Sequence, residues 1–387
     1  MSAGVLVLVI LFLSGWVERG PTMALASLVG ALAGLSLYHA AFGFTAGWRR
    51  FIRERRAAGI RAQCLLIGLT TVFAITLIHY GDAVGIHAGG FVFPLGVAVA
   101  IGAFMFGVGM QLGGGCGSGT LFTVGGGSTR MLVTLAFFIL GGLIATYHWS
   151  FWQMLPRFPA TTFARTPIGP VGAIALTVVL LAAIAWQATR MERRRHGRLT
   201  HGASQGALLR GPWSPVTGAL ALTLVGILTL IVLGRPWGVT SGLTLWGAQI
   251  ANVSGVPVAD WPYWTNAMAA VEAPITASGT SIMNLGLMAG ALVAAALAGQ
   301  FAPKFNLTAR DVATAVAGGL LMGYGARIAF GCNIGALLGG IASGSLHGGG
   351  WLMFAAAGSV LGVRMREAIG MDPPLASLST ASANVSR

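Results

Sequence analysis

The sequence predicts an all-α polytopic membrane protein of two inverted-topology repeats, with Gly-Cys loops that re-enter the membrane and meet near its midplane. Three observations carry this prediction. Only 8% of the 387 residues are charged and 55% are hydrophobic, whereas a soluble domain has about 25% charged residues. Uncharged runs long enough to cross a hydrocarbon core recur along the chain. A glycine-rich segment with a central cysteine occurs twice.

Taken in order, the first apolar run is Ala3 to Val17. It lacks the basic start and small-residue cleavage site of a signal peptide, so residues 1–21 read as an N-terminal transmembrane helix. A first repeat half, 22–189, follows. Its helices are expected over 22–47, 62–80, 91–112, 129–152 and 167–189. Arg49, Arg50, Arg53, Arg55, Arg56 and Arg61 fall in one connection, and Arg190, Arg193, Arg194, Arg195, Arg198 and Arg210 crowd a basic loop at 190–210. Short basic connections lie on the cytoplasmic side, and the even number of crossings between these two makes that assignment self-consistent.

The second half, 211–366, has helices expected over 212–234, 275–300, 311–331 and 345–363. Lys304, Arg310, Arg364 and Arg366 then fall inside, which makes both termini cytoplasmic. Residues 235–274 fall outside, where Trp237, Trp246, Trp261, Tyr263 and Trp264 suit the headgroup level. Within that stretch 238–254 reads as a short re-entrant helix, and Glu272 is expected to cap the helix after it. The segment 367–387 reads as a disordered cytoplasmic tail.

The net charge of +14 therefore reflects topology in a lipid bilayer and not a nucleic-acid surface. Cys64, Cys116 and Cys332 form no CxxC pair, and His39, His79, His87, His148 and His347 are scattered without ligand spacing. Neither a disulfide framework, a metal site nor a cofactor is indicated.

GVGMQLGGGCGSG at 107–119 aligns with GYGARIAFGCNIG at 323–335, so that Gly115, Cys116 and Gly119 fall on Gly331, Cys332 and Gly335 at a constant offset of 332 − 116 = 216. A weaker echo pairs GFTAGW at 43–48 with GVTSGL at 238–243. The helix leading to Cys116 runs inward and that leading to Cys332 runs outward, which makes the repeats inverted. In such proteins interrupted, glycine-rich helices at the repeat interface mark the substrate path.

Glycines such as Gly115, Gly117 and Gly331 permit close backbone approach, so that successive N–H groups converge on an anion. A thiol adds a weak donor and a polarizable sulfur, which suits a sulfur-containing solute better than a hard oxyanion. A single buried cysteine is ordinarily inert packing; two at equivalent repeat positions point to a shared task. Cys64 has no glycine frame and reads as structural. Arg327 lies in an apolar stretch, where a charge either draws the anion in or snorkels. Asn333 and Gln249 either donate in the path or bridge helices.

With those residues in view, the sequence resembles the YeeE/YedE family of bacterial inner-membrane proteins over roughly residues 22 to 366. The resemblance implies an hourglass-shaped importer of thiosulfate in which Cys116 and Cys332 relay the anion through S–H hydrogen bonds. The family commonly has a third cysteine in its first glycine-rich segment, where this chain has Thr45. A small cytoplasmic sulfur-carrier protein is a further partner that the resemblance implies. Two alternatives stay open: a membrane sulfurtransferase that forms a persulfide, which requires an activated thiolate, and transport of another sulfur or selenium compound.

Overall fold

A computed structural model describes residues 1–303 and 305–372. Lys304 and the tail from 373 onward lie outside the described residues. Helices dominate: α1 (Ser2–Arg19), α2 (Pro21–His39), α3 (Phe44–Glu54), α4 (Ala58–Tyr80), α5 (Val97–Gly113), α6 (Gly117–Gly125), α7 (Thr129–Tyr147), α8 (Trp149–Met154) and α9 (Gly169–His196). They continue as α10 (Pro215–Leu233), α11 (Val239–Val253), α12 (Met268–Glu272), α13 (Gly279–Leu297), α14 (Ala309–Ile328), a π-helix (Asn333–Gly339), α15 (Gly340–Ala342) and α16 (Leu346–Ala368). Among the described residues ten helical spans are long and apolar enough to cross a bilayer, as expected of a multi-pass membrane protein.

Several boundaries differ from the sequence expectation, each for a local reason. The helix expected over 22–47 breaks after His39, where Ala41 takes a positive φ of 43° and Gly43 restarts the chain as α3. Arg49, Arg50 and Arg53 therefore ride on a helix and not in a loop. The start expected at 91 moves to Val97, because Pro94 interrupts the run and Leu95–Gly96 pairs antiparallel with Arg157–Phe158. Glu272 caps nothing: it closes α12, and Ser278 caps α13 by accepting from the Ser281 amide. Residues 367–372 of the expected disordered tail are structured, since α16 runs to Ala368 and Arg366 holds Asp372; the rest of that expectation falls outside the described residues.

The largest packed pairs are α14 with α7, α13 with α2, α16 with α5 and α14 with α5. Glycines make these approaches possible. A methyl group at Gly30 or Gly34 of α2 would overlap backbone atoms of Met283 and Leu287 in α13. Without a hydrophobic drive between helices in lipid, such close backbone contact is what holds them together. Peripheral α1 packs on α2 and α13, α9 packs on α4, and both leave large apolar side chains outward. The main buried cluster runs through the middle and contains Phe106, Phe138, Trp237, Trp351 and both Cys116 and Cys332.

Candidate functional site

Each of the two cysteines is the residue at which a helix starts. Cys116 is the N-cap of α6 with φ −86° and ψ −168°, and Cys332 is the N-cap of the π-helix with φ −111° and ψ −163°. A turn precedes each, with Gly114 at φ 93° before the first, and Phe330 at φ 60° and Gly331 at φ 148° before the second. The turn at Gly331 has room for no side chain, since a Cβ there would lie 2.7 Å from the Ala336 nitrogen. Such turns aim the first amides of the following helix back at the cysteine. The amides of Ser118 and Gly119 face the Cys116 sulfur, and those of Ile334 and Gly335 face the Cys332 sulfur.

The two cysteine segments touch. A Cβ at Gly117 would lie 3.1 Å from Cys332 Sγ and 3.4 Å from Thr240 Cγ2. Only hydrogen at that position lets the first segment lie against the second thiol. Cys116 Sγ has Ser118 Oγ at 3.6 Å. Both thiols are buried. Among the described residues neither is hydrogen-bonded to a histidine or carboxylate.

Beside this contact stand polar groups that make no hydrogen bond within the protein: both side-chain atoms of fully buried Asn333, and Trp237 Nε1. Buried polar atoms ordinarily find partners. Trp237 and Gly238 pack against Gly335, three residues after Cys332. Thr45 packs at the start of α3 with its hydroxyl buried and unpaired and its carbonyl accepting from Gln111 Nε2 at 3.4 Å.

Other side chains hold the segments in shape. Arg130 donates to the carbonyls of Gly113 and Leu112, each at 2.8 Å, and to Thr314 Oγ1 at 2.9 Å. These carbonyls end α5, so the guanidinium fixes the turn before Cys116. Trp351 Nε1 donates to the Gly331 carbonyl at 3.2 Å on the other side.

Of the residues singled out in sequence, Cys116, Gly117, Cys332 and Asn333 come together, and Gly115 and Gly331 shape their turns. Arg327 does not join them: its guanidinium lies over the rings of Trp149 and Tyr263, 5.4 and 5.0 Å from their centroids. Gln249 is a helix bridge, donating to the Ala273 carbonyl at 3.0 Å. Thr240 and Arg130 went unremarked in sequence, and Trp237, expected at the headgroup level, is instead buried in the core beside the Cys332 segment. Thr240 was within reach, because it is the counterpart of Thr45 in the 43–48 and 238–243 echo.

The family model for sulphur transport matches residues 39–361. Among similar proteins, the probable transporter YedE of Salmonella typhimurium is 32% identical over 152 residues, 39% of this chain and 37% of that protein. The thiosulfate transporter TsuA of Spirochaeta thermophila is 31% identical over 261 residues, 62% of this chain and 69% of that protein. TsuA of Escherichia coli is 26% identical over 335 residues, 81% and 86% of the two chains. The chain spans only 37% of the length of the YedE relatives it matches. Since the family match runs from the end of α2 almost to the end of α16 and takes in both cysteine segments, the chain belongs to the sulphur-transport family, the YeeE/YedE transporters that its paired Gly-Cys motifs resemble.

Proposed function

We propose that this protein imports thiosulfate, or a related sulfur-containing anion, across the bacterial inner membrane through its centre, where the Cys116 and Cys332 segments meet. The observation that carries the reading is the contact of Gly117 with Cys332, which brings two thiols, each at the start of a helix, into one buried neighbourhood. Helix-start amides attract negative charge, and the thiols add soft, weak donors. Thr45, Asn333 and Trp237 offer further unpaired groups along the way. Weak donors in series suit passage, since a site in a pathway must release what it binds.

The same reading takes residues 22–189 and 211–366 as inverted halves forming an hourglass, with both termini cytoplasmic. Two features support it. The backbone angles at the two cysteines nearly coincide. The packing is also reciprocal: α5 on α16 is matched by α14 on α7, and α2 on α13 by α10 on α4. The arginine-bearing cytoplasmic connections would receive a small acidic sulfur-carrier protein.

Uptake of radiolabelled thiosulfate into cells lacking other sulfur importers, with sulfate and selenite as competitors, tests the substrate. Competition by sulfate as strong as by unlabelled thiosulfate would reject a path built around soft sulfur.

A further inference from the structure

Two open cavities lie beside the short helices α3 and α11, and they are related by the echo between 43–48 and 238–243. One, of about 580 Å3, is lined by Ser241, Gly242 and Leu245 of α11. The other, of about 610 Å3, is lined by Ala46, Gly47 and Arg50 of α3. With the offset of the echo, 238 − 43 = 195, these are the same three positions in the two halves. The two cavities therefore open beside equivalent faces of equivalent short helices.

Their charge has been supplied by different routes. The α11 cavity takes its cations from Arg19, at the end of α1, and Arg235, before α11. The α3 cavity takes Arg50 from α3 itself, where the counterpart is Leu245, and Arg56 from the turn after it, with His201 on the opposite wall. Arg56 also lies 3.4 Å from Glu54, which leaves the cavity positive overall. Positive charge at both equivalent places, from non-equivalent residues, has no explanation in the duplication. It marks a shared demand on the two cavities.

The wall that carries His201 is fixed. Thr200 is tied by its amide to Glu192 Oε1 at 3.0 Å and by its hydroxyl to the same carboxylate. Arg61 donates to Glu192 Oε2 at 2.6 Å and also to the Thr200 carbonyl. A preformed polar cavity needs little ordering to bind a small ion.

We propose that the α3 cavity is a second binding site for the transported oxyanion, on the release side of the centre, held by Arg50 and Arg56 under the strap 199–203. This rests on the transport reading and adds to it a place where the anion pauses before leaving. Local counter-charge raises the occupancy of an anion at a pore mouth.

The test uses the full chain in two measurements. In detergent, thiosulfate should raise the Tm of Arg19→Gln/Arg235→Gln/Cys116→Ala/Cys332→Ala protein, in which the other cavity has lost its cations and the centre its thiols. Adding Arg50→Gln and Arg56→Gln should abolish that shift while the protein still elutes as a single folded species. In cells, Arg50→Gln/Arg56→Gln should lower maximal uptake about five-fold with KM for external thiosulfate unchanged, because release and not capture is impaired. A persisting thermal shift, or a rise in KM with maximal rate intact, would overturn the proposal. Absence of thiosulfate uptake by the unmodified protein would instead reject the transport reading, and the thermal-shift arm would still decide whether the cavity binds an anion.

Discussion

Arg366, at the end of α16, donates to the Gln111 carbonyl at 2.7 Å while its other nitrogens grip the Asp372 carboxylate at 2.7 and 2.8 Å. Gln111 in turn donates to the Thr45 carbonyl. The end of α16 and the residues just after it are thereby joined to the end of α5 and the start of α3. Arg53 adds to the network through Glu367 at 2.9 Å and Asp372 at 3.7 Å.

Arg366→Gln should therefore destabilise the protein by about 3 kcal/mol, since it leaves a largely buried carboxylate and a buried carbonyl without their donor. Thermal unfolding in detergent reads this. The Arg366 hydrogen bonds hold the Asp372 carboxyl below its usual range. A carboxylate depressed in the folded state contributes stability above its unfolded pKa of about 3.9, and that contribution disappears as pH falls through the lower folded value. The Tm contribution of this pair should be flat from pH 5 to 8 and decline below about pH 4, and Asp372→Asn should remove the decline. An unchanged acid limb in Asp372→Asn would show that other carboxylates set it.

Cys116→Ala and Cys332→Ala should each abolish thiosulfate uptake without reducing the amount of inserted protein, whereas Cys64→Ala should leave uptake intact. Removing a packed thiol costs at most about 2 kcal/mol, and a pair of donors in series has no substitute for either member. Growth of the double variant on thiosulfate at the unmodified rate would return both cysteines to helix packing.

Gly117→Ala should impair transport more than its size suggests, because the added methyl would press on Cys332 Sγ at 3.1 Å. Gly349→Ala is the matched control. It lies within α16 with nothing inside 4 Å of the added atom, and alanine there should raise stability by about 0.5 to 1 kcal/mol. Equal uptake by both variants would mean that the Gly117 contact is incidental.

Arg327→Gln should raise KM about ten-fold, equivalent to about 1.4 kcal/mol, with maximal rate preserved. The guanidinium lies half-buried over Trp149 and Tyr263 with its Nε buried and unpaired, and a positive charge partly withdrawn from water acts more strongly on an approaching anion. Uptake measured well below and well above KM separates the two parameters. Loss of inserted protein in Arg327→Gln, with its KM unaltered, would assign the residue to the aromatic cluster alone.

The helical class and the pairing of the cysteine segments were legible because both are repeating patterns within the chain. Contacts that depend on distant residues were not. Nothing near Arg327 in sequence announces Trp149 or Tyr263, and nothing near Gly117 announces that Cys332, 215 positions away (332 − 117), will lie against it. The break between α2 and α3 was missed because Ala40 to Gly43 is as apolar as the helix before it. Only the turn geometry at Ala41 and Gly43 distinguishes it.

The glycine-lined approaches in the frame bear on the motion that the proposed anion passage would require. Gly319 and Gly323 of α14 meet the backbone of α7, Gly107 of α5 meets that of α16, and Gly358 of α16 meets that of α5, all without an intervening side chain. Helices locked backbone to backbone have no soft layer on which to slide, so a rocking of one half against the other would break many contacts at once. On the transport reading proposed above, the short cysteine segments and the side chains beside them are the parts that would move, on the nanosecond-to-microsecond scale of loops and not the slower scale of domains. Covalent cross-linking of α5 to α16 should consequently leave the flux unchanged, and a cross-link that stopped it would reveal a moving frame.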